Sequence, residues 1–242
     1  MSPEVSVVVP VCNEADNVMP LAQEIVAALR GRLPFEMIFV DDGSSDATAQ
    51  RIREARTSGL SEMRLLRHSG RSGQSAAVHS GVRAARAQWI ATLDGDGQND
   101  PADLPKLIAA RGDATNEGVM LFMGNRVTRR DTWLRRLSSR IANGVRAGLL
   151  GDGTPDTGCG IKLFHRETFL SLPAFDHMHR FLPALFQRAG TRVVSVPVNH
   201  RERTRGRSKY GVHNRLWVGI VDLFGVMWLK ARSRPGVRVV EE

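Results

Sequence analysis

Apolar, β-branched runs alternate with stretches of helical spacing along the first half of this chain. That alternation restricts the fold more than any other feature. VSVVVPV (5–11), FEMIFV (35–40), MRLLRH (63–68), QWIATLD (88–94) and GVMLFMGNRV (118–127) predict five strands. Between them the spacing predicts helices over 14–29 with Asn13 as N-cap, over 45–56 capped by Ser44 or Ser45, over 73–85, and over 101–110 with Pro101 in the first turn. The order β-α-β-α implies an α/β fold: a doubly wound, mainly parallel sheet flanked by helices and joined by right-handed crossovers.

The second half is patterned differently. A helix is predicted over 132–150, where Trp133, Leu137, Ile141, Val145 and Leu149 recur every four residues and Arg135 and Ser139 share another face. A Gly-rich loop over 151–168 runs into a short strand, followed by a helix over 180–190 and a strand over 192–203 that leads into a basic loop. The apolar stretch 216–229 falls short of the ~18 apolar residues of a spanning helix. Arg215, Lys230, Arg232 and Arg234 flank it, and Asp222 interrupts it. It suits an amphipathic helix at a membrane interface, or equally a core or dimer helix.

Composition narrows the function. Cys12 and Cys159 are the only cysteines, so no disulfide framework or zinc site is expected, and a reducing cytoplasm fits. The opening residues lack a basic leader and read as a buried strand rather than a signal peptide. The net charge of +9 is concentrated in arginine-rich blocks at 126–146 and 200–215. Such blocks imply a polyanionic partner: phosphates, an anionic membrane surface or nucleic acid. With aromatics at only 6% and no recognised nucleic-acid motif, nucleic acid is the weaker reading. No Walker-type phosphate loop and no G-x-G-x-x-G after the first strand are present, which argues against a P-loop NTPase and a nicotinamide enzyme.

In open α/β sheets ligands bind beyond the carboxyl ends of the strands. Asp41 and Asp42 end the second predicted strand; Asp94 and Asp96 follow the fourth. Asp94-Gly95-Asp96 can present two carboxylates to a hard cation while leaving positions open for substrate phosphates, and Gln98 offers a neutral oxygen. Gly95 and Gly97 allow close backbone approach. Alone, D-x-D also describes an acidic turn; its company on a second strand is what points to a site. Glu14 closes the first strand, and Cys12 reads as a small buried residue. RERTRGRSKYG (201–211) is a Gly-rich basic loop that can wrap a diphosphate.

The ordered set VVVPVCNEADN (7–17), VDDGSSDAT (40–48), GRSGQSAAVHSGVRAA (70–85), LDGDGQNDP (93–101), GNRV (124–127), TGCGIKLFHRE (157–167) and RERTRGRSKYG (201–211) resembles family 2 glycosyltransferases of GT-A fold. The likeness is to the dolichyl- and polyprenyl-phosphate mannose synthase-like branch and spans roughly 5–215. It implies transfer from a nucleotide sugar, GDP- or UDP-linked, to a lipid-linked phosphate at the cytoplasmic face of the membrane. By that resemblance Pro10, Val11, Glu14, Asp41 and Asp42 line the base and ribose pocket. Asp94, Gly95, Asp96 and Gln98 meet the donor diphosphate, with Asp94, Asp96 and Gln98 holding Mg²⁺ or Mn²⁺. Arg126, Arg203 and Lys209 bind phosphates; Arg135 and Ser139 grip the acceptor phosphate. Asp96, Arg126, Arg135 and Ser139 are then the expected catalytic set. Residues 1–211 would form the transferase domain, with a donor half at 1–127 and an acceptor half at 128–211, and 212–242 a C-terminal segment able to meet an anionic membrane. Cys12 departs from the pattern, since many relatives have tyrosine there to stack on the base. The competing reading is a transferase acting on a saccharide or lipid hydroxyl, with Asp152 or Asp156 as base.

Overall fold

The computed structural model describes residues 2–126, 144, 146–202 and 212–232, without the side chains of 114 and 212–218. Seven strands form one sheet: β1 (Val5–Val11), β2 (Phe35–Asp41), β3 (Met63–Arg67), β4 (Trp89–Thr92), β5 (Val119–Arg126), β6 (Lys162–His165) and β7 (Arg192–Val198), in the order β3-β2-β1-β4-β6-β5-β7. Only β6 runs antiparallel to its neighbours, between β4 and β5. The helices are α1 (Ala15–Leu29), α2 (Thr48–Thr57), α3 (Gln74–Ala84), α4 (Leu104–Gly112), α5 (Arg166–Leu170), α6 (Leu182–Arg188) and α7 (Val212–Ala231). This is the mainly parallel α/β sheet flanked by helices that the alternation implies, and a C-terminal helix is present.

The central strand shows why its sequence is apolar throughout. Val7 and Val9 of β1 face a core made with α1 and α4, whereas Val8 faces a second core made with α3 and α6. All three are fully buried, and each such side chain contributes about 1.5–3 kcal/mol on leaving water. α3 lies close on the sheet at Gly81, where a Cβ would stand 2.4 Å from Val8 Cγ1.

Two expected caps are corrected. Asn13 does not cap α1: it adopts φ +51°, and its Oδ1 accepts from Ser45 N at 2.8 Å, tying the β1–α1 loop to the β2–α2 loop. Neither Ser44 nor Ser45 caps α2. Ser44 Oγ accepts from Asn13 N at 2.8 Å, and Asp46 Oδ1 accepts from Thr48 N at 2.9 Å. Asp100 starts the next helical segment, accepting from Ala102 N at 3.0 Å ahead of a 3₁₀ turn at Pro101–Asp103. The expected helix over 132–150 is described only at 144 and 146–150, where it is helical.

Candidate active site

The carboxyl edges of β1, β2 and β4 bring the acidic residues together. Val11 pairs with Asp41 in register, and β4 flanks β1 on its other side. Asp94-Gly95-Asp96 follows β4 and folds back over β1. A Cβ on Gly95 would stand 2.6 Å from Val11 Cγ1 and 2.8 Å from the Pro10 carbonyl oxygen. The D-G-D turn therefore rests on Pro10 and Val11, beside Asp41, and only glycine fits at its centre.

Asp94 is half-buried. Its Oδ1 accepts from Gln74 Nε2 at 2.7 Å, and its backbone N–H donates to Asn99 Oδ1 at 3.0 Å. Desolvation, and then the charge of Asp96, push its carboxyl above the usual range, while Lys162, Gln74 and Arg126 pull the other way. Asp96 Oδ1 accepts from the Gln98 N–H at 3.1 Å. Gln98 also contributes its carbonyl, which accepts from Arg201 N at 3.1 Å.

The two acids at the carboxyl end of β2, Asp41 in the strand and Asp42 just past it, differ in role. Asp42 is an organiser: Oδ1 accepts from Ser72 N and pairs with His68 Nδ1, both at 2.8 Å, and Oδ2 accepts from Gly73 N at 2.8 Å. It shapes the loop that leads into Gln74. Asp41 is fully buried; Oδ1 accepts from Ser44 N at 2.9 Å. Among the described residues its Oδ2 has the Arg67 guanidinium 3.3 Å away and no hydrogen-bond donor aligned on it. Glu14 precedes α1; its N–H donates to Thr48 Oγ1 at 2.9 Å, and Oε2 accepts from Asn17 Nδ2 at 2.7 Å.

Cationic groups back the acids. Lys162 on β6 is 5% exposed, and its Nζ donates to the Cys159 carbonyl. Burial holds its ammonium below the usual lysine range, partly offset by Cys159, Asp94 and Asp156. Arg126, expected to meet phosphate, is drawn into a bidentate ion pair: Nε to Asp156 Oδ2 at 2.6 Å and Nη2 to Oδ1 at 2.7 Å. Burial opposes its charge, but Asp156 outweighs burial and the guanidinium stays more firmly protonated than usual. Asp152 is paired with Arg146, and its Oδ1 accepts from Thr154 N at 3.2 Å. Both carboxylates named as alternative bases are thus engaged by arginine. Arg135, Ser139, Arg203 and Lys209 lie outside the described residues.

Gln74, Asn99, Lys162 and Gly160 were not singled out from sequence. A Cβ on Gly160 would stand 2.2 Å from Asp94 Oδ2 and 2.4 Å from Asn99 Oδ1. One signal was present: a lone lysine within the apolar GIKLF of β6. Among the described residues no three acidic, histidine or cysteine side chains are grouped to hold a metal ion by themselves. Asp94, whose proton affinity the nearby Asp96 raises, and Asp96 itself are nonetheless a donor pair suited to a hard cation that takes its remaining ligands from a substrate diphosphate.

The same fold occurs in glucosyl-3-phosphoglycerate synthase from Mycobacterium tuberculosis, solved with uridine diphosphate: TM-score 0.71 at 20% identity, covering 97% of this chain and 82% of that one. That enzyme has also been solved with Mn²⁺, uridine diphosphate and glucosyl-3-phosphoglycerate, with a TM-score of 0.69 at 19% identity over 94% of this chain and 80% of that one. The fold is of the GT-A type, a mainly parallel α/β sheet flanked by helices. The chain belongs to glycosyl transferase family 2, whose pattern residues 6–172 match. It is 35% identical over 239 residues to a dodecaprenyl-phosphate galacturonate synthase of Rhizobium johnstonii, covering 96% of this chain and 69% of the relative. It is 32% identical over 209 residues to an undecaprenyl-phosphate 4-deoxy-4-formamido-L-arabinose transferase of Edwardsiella ictaluri, covering 86% of this chain and 63% of the relative.

Proposed function

We propose that this glycosyltransferase moves a sugar from a GDP- or UDP-linked donor to a polyprenyl phosphate, at the cytoplasmic face of a membrane, with Mg²⁺ or Mn²⁺ bound at Asp94 and Asp96. The observation that carries the reading is the D-G-D turn lying against Pro10 and Val11, next to buried Asp41, whose Oδ2 is ion-paired with Arg67 but has no aligned hydrogen-bond donor among the described residues. A base or ribose donor group would satisfy Asp41 Oδ2, and the diphosphate would then fall at Asp94 and Asp96. The names of both relatives, each a sugar transferase or synthase of a polyprenyl phosphate, support the acceptor class.

The chemistry is a single displacement with inversion. An acceptor phosphate oxygen attacks the anomeric carbon, the bond from that carbon to the donor diphosphate breaks, and the nucleoside diphosphate leaves. A bound divalent ion would stabilise charge on the leaving diphosphate. Phosphate is already ionised near neutral pH, so no general base is required. That agrees with Asp152 and Asp156 being committed to Arg146 and Arg126, and it disfavours the hydroxyl-acceptor reading. Arg135 and Ser139 are assigned to the acceptor phosphate, and Arg203 and Lys209 to the phosphates of donor or acceptor. Lys162 and Arg126 supply fixed positive charge beneath the acids.

The test is a panel of nucleotide sugars with a short-chain polyprenyl phosphate and Mn²⁺ or Mg²⁺, read as lipid-linked sugar by mass spectrometry. One donor should give product, and Asp96→Asn and Arg135→Ala should abolish it. Full transfer by either variant, or product on a free sugar hydroxyl alone, would overturn the reading.

A further inference from the structure

Residues arriving from β7 grip the turn that carries Asp94 and Asp96. Asp103, fully buried in the 3₁₀ turn Pro101–Asp103, accepts from Asn199 N at 2.6 Å. His200 then forms an antiparallel bridge with Asn99, and Arg201 N donates to the Gln98 carbonyl at 3.1 Å. The Arg201 side chain reaches two carboxylates at once: Nη1 donates to Glu24 Oε2 of α1 at 2.6 Å, and Nη2 to Asp100 Oδ1 at 2.5 Å. The sequence groups Arg201 with the basic loop suited to wrapping a diphosphate. Its geometry sets it apart, since both terminal nitrogens already face carboxylates of the protein itself. The Asp100 side chain is 14% exposed and that of Glu24 44%, so the Asp100 pair is the better shielded from water and salt.

This turn is one that has to be held. Gly95 and Gly97 flank Asp96, and Gly97 stands at φ +73°, which glycine adopts readily but leaves as readily. Asp96 Oδ1 accepts from the Gln98 N–H, while the Gln98 carbonyl is fixed by Arg201 N. Asp100, two residues on, is fixed by the Arg201 guanidinium and by Ala102 N. We infer that Arg201 is a positioning residue for sugar transfer: it clamps the 96–100 limb of the turn against α1 and so sets how Asp96 and Gln98 face the donor diphosphate. The inference rests on the reading of that turn under the proposed function. It also accounts for the residue type. A guanidinium fork spans Glu24 and Asp100 together, whereas a lysine ammonium, a point charge, holds one of them well. A catalytic group displaced by about 1 Å loses about 100-fold in rate, so a clamp that does not touch the diphosphate still governs transfer.

The experiment compares the full chain as wild type, Arg201→Ala and Arg201→Lys. Hydrogen exchange of the ligand-free protein is followed on the peptide 93–101, and Mn²⁺ is titrated against the melting shift given by uridine or guanosine diphosphate. Arg201→Ala should exchange at least about tenfold faster over that peptide. It should need about tenfold more Mn²⁺ for half the shift and lose about 10- to 100-fold in kcat. Its ligand-free melting temperature should move by no more than about 2 °C. Arg201→Lys, able to hold one carboxylate, should fall between the two on each measure. Unchanged exchange with weaker nucleotide binding would make Arg201 a phosphate ligand and overturn the inference. A lower ligand-free melting temperature with an unchanged Mn²⁺ midpoint would make its role structural and overturn it too. If wild type responds to Mn²⁺ and Arg201→Ala matches it throughout, the inference alone falls. If wild type shows no Mn²⁺-dependent shift, the metal reading of the turn falls and takes the inference with it.

Discussion

At the scale of single residues, the site is defined as much by what is missing as by what is charged. Gly160 lies so close to Asp94 and Asn99 that a methyl group there must displace one of them. Gly160→Ala should therefore cut transfer by about 100-fold through misplacement of Asp94, while melts show the sheet intact. Gln74 acts on the same carboxylate from α3, donating at 2.7 Å to an acid already pushed up by burial and by Asp96. Gln74→Ala should weaken the charged form of Asp94 and raise the Mn²⁺ needed to bind nucleotide. A Mn²⁺ titration of the nucleotide-dependent melting shift reads this without relying on turnover, and an unchanged midpoint would remove Gln74 from the positioning of Asp94. Gln74 and Gly160 went unnoticed in the sequence because their partners are distant in the chain. Asp94 and Asp96 were legible because their chemistry is local: two carboxylates two residues apart, after an apolar strand.

At the scale of elements, the opposite edge of the sheet is where charge stabilises the fold. Glu36 at the start of β2 accepts from Ser6 Oγ of β1 at 2.7 Å, from Arg64 Nη1 of β3 at 2.6 Å and from the Arg86 N–H ahead of β4 at 2.7 Å. Burial pushes its carboxyl up, but the Ser6, Arg86 and Arg64 interactions outweigh burial and hold it below the usual range. A depressed carboxylate contributes stability that is present above its unfolded value, about pH 4.3, and is lost as pH falls through the folded value. Glu36→Gln should cost about 1–3 kcal/mol at pH 7 in urea melts, and the gap from wild type should shrink towards pH 3. The parallel strands were legible because burial on both faces writes them as unbroken apolar runs. The reversed direction of β6 was not, since a short apolar strand reads alike both ways. The caps failed for a related reason: Asn13 and Ser44 look like local caps, yet they spend their hydrogen bonds on each other's loops.

At the scale of the whole molecule, the two edges of the sheet work against one another. The amino edge satisfies its buried acid; the carboxyl edge holds Asp94 and Asp96 close enough that one raises the other's proton affinity even with Lys162 beside them. A carboxyl whose folded value is raised destabilises the fold above that value, and the penalty disappears below the unfolded value. The ligand-free protein should thus be less stable at pH 7 than Asp94→Asn, by about 2–4 °C of melting temperature for each kcal/mol of relieved repulsion. The two curves should converge as pH falls towards 3. Nucleotide diphosphate with Mn²⁺ should reverse the order, because only wild type binds the pair and gains stability by mass action, about 2.7 kcal/mol at 100 times the dissociation constant. Melts of both proteins at pH 7, with and without Mn²⁺ and nucleotide, test this directly. If Asp94→Asn melts below wild type without ligand, the acids are held by their surroundings without strain, and the site's charge is structural rather than kept for a ligand.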